Sequence, residues 1–251
     1  MAGAFSIVTI SRDDPAGLAR TLASIGDQSA PPAEVVLVRA GGSRDAAIDP
    51  RVSGRARDVA DPGRGISAAF NAGIAAAAGE WLVFLNGGDA FHGADGLSIL
   101  ARECGAAPEA DIVSCRARTD RGDRIPWRLP SSFCDLLFLS HQASAFRRAL
   151  FAEIGPYDES FRVRMDLDWM ARYLLARGGA RVAFRDLDVV DYAMDGLSSR
   201  SLAGFYGEEF RVLRRSPRFL PALAGLALRR VPERVVREAW RALAGRPRAG
   251  T

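Results

Sequence analysis

Three short apolar runs, each closed by small or polar residues and separated by a helical pattern, constrain this chain more than any other feature. "FSIVTI" (5–10) stops at Ser11-Arg12-Asp13-Asp14, "EVVLV" (34–38) leads into Ala40-Gly41-Gly42-Ser43, and "WLVFL" (81–85) runs into Asn86-Gly87-Gly88-Asp89. Unbroken apolar runs of this length read as strands covered on both faces, the signature of a parallel sheet flanked by helices. Between the first two, Pro15 opens a stretch with Leu18, Leu22 and Ile25 at helical spacing, and proline in a first turn sacrifices no hydrogen bond. Before the third, Ile66, Phe70, Ile74 and Ala77 mark one face of a helix over 66–78, with Gly79 as its end. The alternation predicts an α/β fold with a Rossmann-like, mostly parallel central sheet. Ligands of such sheets bind beyond the carboxyl ends of the strands. All three loops sit there, so they should converge on one edge.

The second half is less regular. "ADIVSCRAR" (110–118) reads as a strand and "DRIPWRLP" (123–130) as a loop or proline-broken edge strand. "RRALFAEIG" (147–155) reads as a short helix closed by Gly155. "RMDLDWMARYLLARGG" (164–179) predicts an amphipathic helix with Leu167, Met170, Ala171, Leu174 and Leu175 inward and Gly178 as its stop, and "ARVAFRDLDVVDY" (180–192) alternates like strands. No repeat or low-complexity linker divides the chain, so the halves should share one surface.

Composition removes several function classes. The 251 residues hold 48% apolar and 25% charged side chains, as a soluble globular protein does. None of the 34 basic residues is a lysine, which excludes a P-loop enzyme. No GxGxxG follows the first strand, against a dinucleotide oxidoreductase, and no GxSxG is present. Cys104, Cys115 and Cys134 form no CxxC pair, which predicts reduced thiols, no zinc and a cytoplasmic protein. The N-terminus lacks the basic and apolar regions of a signal peptide.

Four constellations carry candidate chemistry. Asp89 closes a buried strand beside two glycines, which suits a hard divalent cation and an approaching diphosphate; the same Asn-Gly-Gly-Asp is also ordinary turn chemistry. Asp166 and Asp168 open the helix of 164–179, where an acid caps the first turn or, facing a cleft, serves as a general base. His141-Gln142 follows an apolar run, and a single histidine there is a hydrogen-bonded structural residue or part of a site. Arg64-Gly65 opens the 66–78 helix, where a guanidinium and backbone N–H groups would meet phosphate or simply face solvent.

In this order the elements resemble family 2 glycosyltransferases of the GT-A fold, nucleotide-sugar-dependent and typically inverting. The resemblance rests on "FSIVTISRDDPAGLARTLASI", "VRAGGSRD", "DPGRGISAAFNAGIAAAAGEWLVFLNGGD", "HQASAFRRALFAEIGPYDESFRVRMDLDWMARYLLARG" and "DYAMDGLSSR", which cover most of residues 5–200. It implies Mg²⁺ or Mn²⁺ on Asp89, where the family's DxD-like motif ends, and Asp166 as the base that deprotonates the acceptor, with Asp168 structural. It further implies donor contacts at Ser11, Arg12, Gly41, Arg64, Gly65, Asn71, Asn86 and Gly88. His141, Gln142 and Asp168 would lie near the cleft, and Ser198 on a closing loop. The nucleobase-contacting Asp of the family is missing near Arg39-Ala40, as is an acid near Ala68, which points to a different nucleotide or a weakened enzyme.

The resemblance implies a donor half at 1–90, an acceptor half at 91–205 and a basic helical tail at 206–251. Within the tail, Leu223, Leu226, Val231, Val235, Val236, Trp240 and Leu243 lie among arginines. Residues 217–245 would therefore either rest on the inner face of the cell membrane or pack back on the domain. No nucleic-acid motif accompanies the basic stretch. The reading is a glycosyltransferase acting on a glycan, lipid-linked or small-molecule acceptor; the alternative is a non-catalytic nucleotide- or glycan-binding module.

Overall fold

The computed structural model describes residues 3–119, 123, 132–193 and 202–224. Ser198, nearly all of "DRIPWRLP" and the tail beyond residue 224 lie outside the described residues.

The three apolar runs form β1 (Phe5–Arg12), β2 (Glu34–Ala40) and β4 (Trp81–Asn86), mutually parallel with β1 in the middle. Further strands are β3 (Ala56–Ala60), β5 (Ala90–Phe91), β6 (Ile112–Thr119), β7 (Ser144–Arg147) and β8 (Val182–Tyr192). Together they make one eight-stranded sheet in the order β3-β2-β1-β4-β7-β6-β8-β5. β3 escapes the apolar pattern because "ARDVA" is a charged, largely exposed edge strand. β7 runs antiparallel between β4 and β6, so the sheet is mixed there.

Helices cover both faces. On one lie α1 (Pro15–Gly26) and α4 (Gly96–Ala106), whose Leu18, Leu22, Ile25, Leu97, Leu100 and Cys104 bury against Ile7, Val35, Trp81 and Val83. On the other lie α3 (Ile66–Ala76), α5 (Ala149–Glu153), α6 (Met165–Arg177) and α7 (Leu202–Leu213), around Phe70, Phe84, Phe146, Phe151 and Trp169. A single turn, α2 (Pro50–Ser53), precedes β3. Each fully buried side chain of this size contributes roughly 1.5–3 kcal/mol.

Three local expectations need correction. α3 buries Ser67, Ala68, Ala69, Phe70 and Gly73, with Ile66 and Ile74 only partly covered. Small residues face the sheet there because the helix lies close: a Cβ on Gly73 would stand 2.4 Å from Val8 Cγ1. Gly79 is not a helix stop; its Cβ would be 2.8 Å from the Ala4 carbonyl oxygen, so it is small to let two backbones meet. Leu175, expected inward on α6, is 41% exposed. Gly155 and Gly178 do close α5 and α6, at φ +92° and +70°.

Candidate functional site

The loops after β1, β2, β3 and β4 are bonded into one edge. Ser11 Oγ meets Ser43 Oγ at 2.9 Å, and Ser43 Oγ also accepts from the Asp14 N–H. Asp13, at φ +55°, accepts from the Gly42 N–H at 2.8 Å. That pairing needs Gly41 at φ +54° without a side chain, because a Cβ there would collide with Asp13 Oδ1. Arg12 reaches the end of β3 and pairs with Asp61 at 2.9 Å. Arg39 is locked by a fork onto Asp58 (2.7 and 2.6 Å) and by the Ala46 carbonyl.

The turn after β4 is built around Thr21 of α1. Its Oγ1 accepts from the Gly88 N–H at 3.0 Å and donates to the Asp89 carbonyl at 2.6 Å. Gly88 takes φ +104°, a region glycine enters freely. The Asp89 side chain turns inward: Oδ2 accepts from the Asn86 N–H (3.2 Å) and Oδ1 from the Ala193 N–H (2.9 Å), and the residue is 1% exposed. Burial pushes its carboxyl up to about 7.

A hard cation needs oxygens presented to it. Asp89 instead clamps two backbone segments, and among the described residues no group of three or more His, Cys, Asp or Glu gathers to hold an ion. One oxygen beside it has no hydrogen-bond partner: Asn86 Oδ1, buried at the end of β4.

Around α3, two residues expected at the donor bond to the segment at 157–159. Arg64, 63% exposed at its side chain, pairs with Glu159 through Nε at 3.0 Å and Nη2 at 3.2 Å. Asn71 holds the Tyr157 backbone at both ends, donating from Nδ2 to its carbonyl and accepting its N–H on Oδ1, each at 2.9 Å. Ser67 Oγ donates to the Phe161 carbonyl at 2.6 Å. Gly65 stands at the N-cap at φ +113° with open space where a Cβ would be, and α3 has no side-chain cap.

Asp166 lies in the first turn of α6 and lines a pocket with Leu137, Leu139, His141, Phe146, Tyr157, Trp169 and Met170. Its Oδ1 accepts from the Leu167 N–H at 2.8 Å, and among the described residues it has no ion-pair partner. Beneath it, His141 Nε2 meets the Tyr157 hydroxyl at 2.8 Å and its ring stacks on Phe84 at 4.6 Å. Burial lowers the His141 imidazole to about 4 and raises the Tyr157 phenol well above its usual value, so both are neutral near pH 7. Gln142 follows, half-buried.

Asp168, two residues on, is fully buried between guanidiniums: Arg172 Nε lies 3.0 Å from Oδ2, and Arg215 binds Oδ1. Sequence patterns missed Tyr157, Thr21 and Asp61 as members of these constellations. A tyrosine following Gly-Pro at 155–156 is the only local hint, because its partners lie elsewhere in the chain.

Comparisons with known proteins agree on one group. The family model described as "Glycosyl transferase family 2" matches residues 6–164. A "PGL/p-HBAD biosynthesis glycosyltransferase" of Mycobacterium bovis (strain BCG / Pasteur 1173P2) is 34% identical over 177 residues, covering 67% of this chain and 68% of that protein. An uncharacterized glycosyltransferase of Mycobacterium tuberculosis (strain ATCC 25618 / H37Rv) is 32% identical over 179 residues, covering 68% of each. Among solved structures, S. aureus TarS has a TM-score of 0.67 at 15% identity, over 84% of this chain but 39% of its own. TarS 1–349 in complex with UDP-GlcNAc has a TM-score of 0.63 at 16% identity, over 84% of this chain and 65% of its own. The mannosyltransferase PcManGT from Pyrobaculum calidifontis, in complex with GDP-Man and Mn²⁺, has a TM-score of 0.60 at 15% identity, over 89% of this chain and 65% of its own. The chain thus spans less than two thirds of each of these three structures. At such identities they show a shared fold.

Proposed function

The chain belongs to glycosyl transferase family 2, with the GT-A fold of its structural neighbours, and from that premise we propose that it moves a sugar from a nucleoside-diphosphate donor to an acceptor hydroxyl with inversion, Asp166 acting as base. The observation that carries this reading is the contrast at the start of α6: Asp168 is saturated by two arginines, while Asp166 has no ion-pair partner among the described residues and opens on a pocket.

In the proposed step the Asp166 carboxylate takes the acceptor hydroxyl proton as its oxygen bonds to the sugar C1. The bond from C1 to the diphosphate breaks, and the nucleoside diphosphate leaves with that electron pair. A single displacement of this kind inverts C1, as it does for the opposed carboxylates of inverting glycosidases. The apolar side chains lining the pocket leave Asp166 as its one carboxylate. The uncapped start of α3, with Gly65 clearing the approach, supports a place for the diphosphate.

Residues 1–90 would serve the donor and 91–205 a glycan, lipid-linked or small-molecule acceptor. Arg39, where the family's nucleobase acid would stand, is committed to Asp58. The family and the Mn²⁺ complex of a structural neighbour support divalent-metal dependence, but Asp89, with both oxygens on backbone amides, does not present a ligand set for Mg²⁺ or Mn²⁺. No helix among the described residues is long and apolar enough to cross a membrane. Exposed Leu220, with exposed Phe210 just before the segment, supports a peripheral contact through 217–245, which co-sedimentation with anionic vesicles tests.

The main test is thermal-shift binding of UDP, GDP, CDP and dTDP with and without Mn²⁺, followed by release of the selected nucleotide from its sugar donors. Asp166→Asn should keep the binding shift and lower turnover by about 10²–10⁴-fold. Full turnover in Asp166→Asn would remove the base. No shift with any nucleotide would favour the non-catalytic binding module.

A further inference from the structure

Asp166 projects from the first turn of α6, so its placement depends on how that turn is held. The local sequence supplies no cap: Arg164 stands at the N-cap and its side chain accepts nothing from the helix. A helix start without partners for its N–H groups frays. Glu208, on α7, fills the gap. Its Oε1 accepts from the Arg162 N–H at 2.8 Å, and its Oε2 accepts from Val163 at 3.0 Å and Arg164 at 2.9 Å. Three consecutive N–H groups turned onto one carboxylate form an anion nest, closed by charge-assisted hydrogen bonds.

Other contacts hold the two elements in register. Arg211 of α7 lies over the Phe161 ring at 3.7 Å and pairs with Asp158 at 3.5 Å, and Arg215 binds Asp168. From the opposite side α3 fixes the same stretch through Asn71 on Tyr157 and Ser67 on Phe161. Glu208 binds the backbone of the residues immediately before Met165 and Asp166, while Glu209 and Phe205 of α7 meet only the Arg164 side chain, at 3.7 and 4.3 Å. It also lies beyond residues 6–164, the part of the chain that the family model covers.

We infer that Glu208 is a positioning residue for the Asp166 carboxylate, capping the start of α6 from a separate element of the chain. The Leu167 N–H orients Asp166 Oδ1 only while the first turn is intact, and Glu208 fixes the three backbone amides that lead into that turn, the N-cap amide of Arg164 included. The inference rests on the reading of Asp166 as base.

The test compares Glu208→Ala, Glu208→Gln and Asp166→Asn in the whole chain. Nucleotide release from the selected sugar donor, with water as acceptor, is read beside amide hydrogen exchange over residues 162–166. Glu208→Ala should lower release at saturating donor by about 10–100-fold, the scale of an ångström's misplacement, with the donor KM unchanged within about twofold and faster exchange at 162–166. Glu208→Gln keeps one acceptor oxygen and should recover part of both. A Glu208→Ala rate equal to wild type overturns the inference. So does a fall in kcat matched by a rise in KM that Gln fails to relieve. Wild-type turnover in Asp166→Asn would overturn the base and this inference together; an inactive Asp166→Asn beside a fully active Glu208→Ala would overturn the role of Glu208 alone.

Discussion

At the end of β4, Asp89 is 1% exposed and its two carboxylate oxygens receive the amides of Asn86 and Ala193; at the start of α6, Asp166 accepts one amide, from its own neighbour, and opens on a pocket. One acid follows the end of a strand and the other stands in the first turn of a helix. The difference follows from backbone geometry. A carboxylate in a tight turn finds unsatisfied N–H groups within reach and folds back on them. At the first turn of α6, Asp166 takes one free amide, that of Leu167, and no distant segment among the described residues brings a donor to its other oxygen. Asp168, on the same helix start, faces the core and meets Arg172 and Arg215 instead. A motif acid becomes scaffold wherever the fold brings enough donors to it, and remains available where it does not.

The contrast breaks first at Asp168. Removing its carboxylate by Asp168→Ala leaves two guanidiniums facing one another, and stability should fall by about 3 kcal/mol, at the low end for a buried pair because both arginines are partly exposed. Chemical denaturation measures this; an unchanged midpoint would make Asp168 another open acid.

Next comes His141. Its folded value of about 4 lies below the ordinary 6.5, so its burial as the neutral form adds stability that is complete above pH 6.5 and lost as pH falls toward 4. The loss is about 3 kcal/mol across that window. In His141→Phe the melting temperature should fall less steeply over the same range, after a constant cost for the unpartnered Tyr157 hydroxyl. Equal slopes would place the titration elsewhere.

The smallest effect sharpens the comparison most. Asp89→Ala strips two backbone amides of their acceptor but also removes a carboxylate that burial disfavours, for a net loss of about 1–2 kcal/mol. A clamp loses the same amount with or without Mn²⁺. A drop that appears only in the presence of Mn²⁺ would make Asp89 a cation ligand and dissolve its contrast with Asp166.

Much of the frame was legible along the chain. Continuous apolar runs gave β1, β2 and β4, and spacing gave α1 and α6, because the period of a pattern is local and burial on both faces leaves no other reading. β3 and β7 were not legible: one is a charged edge strand, and the other is four residues whose neighbours come from both halves of the chain. Of the site, the roles proposed for Asp166 and Asp168 came from family resemblance, and the structure adds a physical distinction between the two acids. Arg64 and Asn71, expected at a donor, bond to Glu159 and Tyr157 in the structure.

By itself the sequence determined the layered α/β frame, the order of its elements and the placing of acids at element ends. Only the tertiary structure decided which of those acids is open. The amide that occupies Asp89 lies 104 residues away, and the arginine that occupies Asp168 Oδ1 lies 47 away. Glu208, which caps the start of α6, reaches back 44–46 residues. Periodicity encodes which face of an element is buried. The partner that satisfies a buried charge is fixed by where distant segments meet, and no local pattern carries that information.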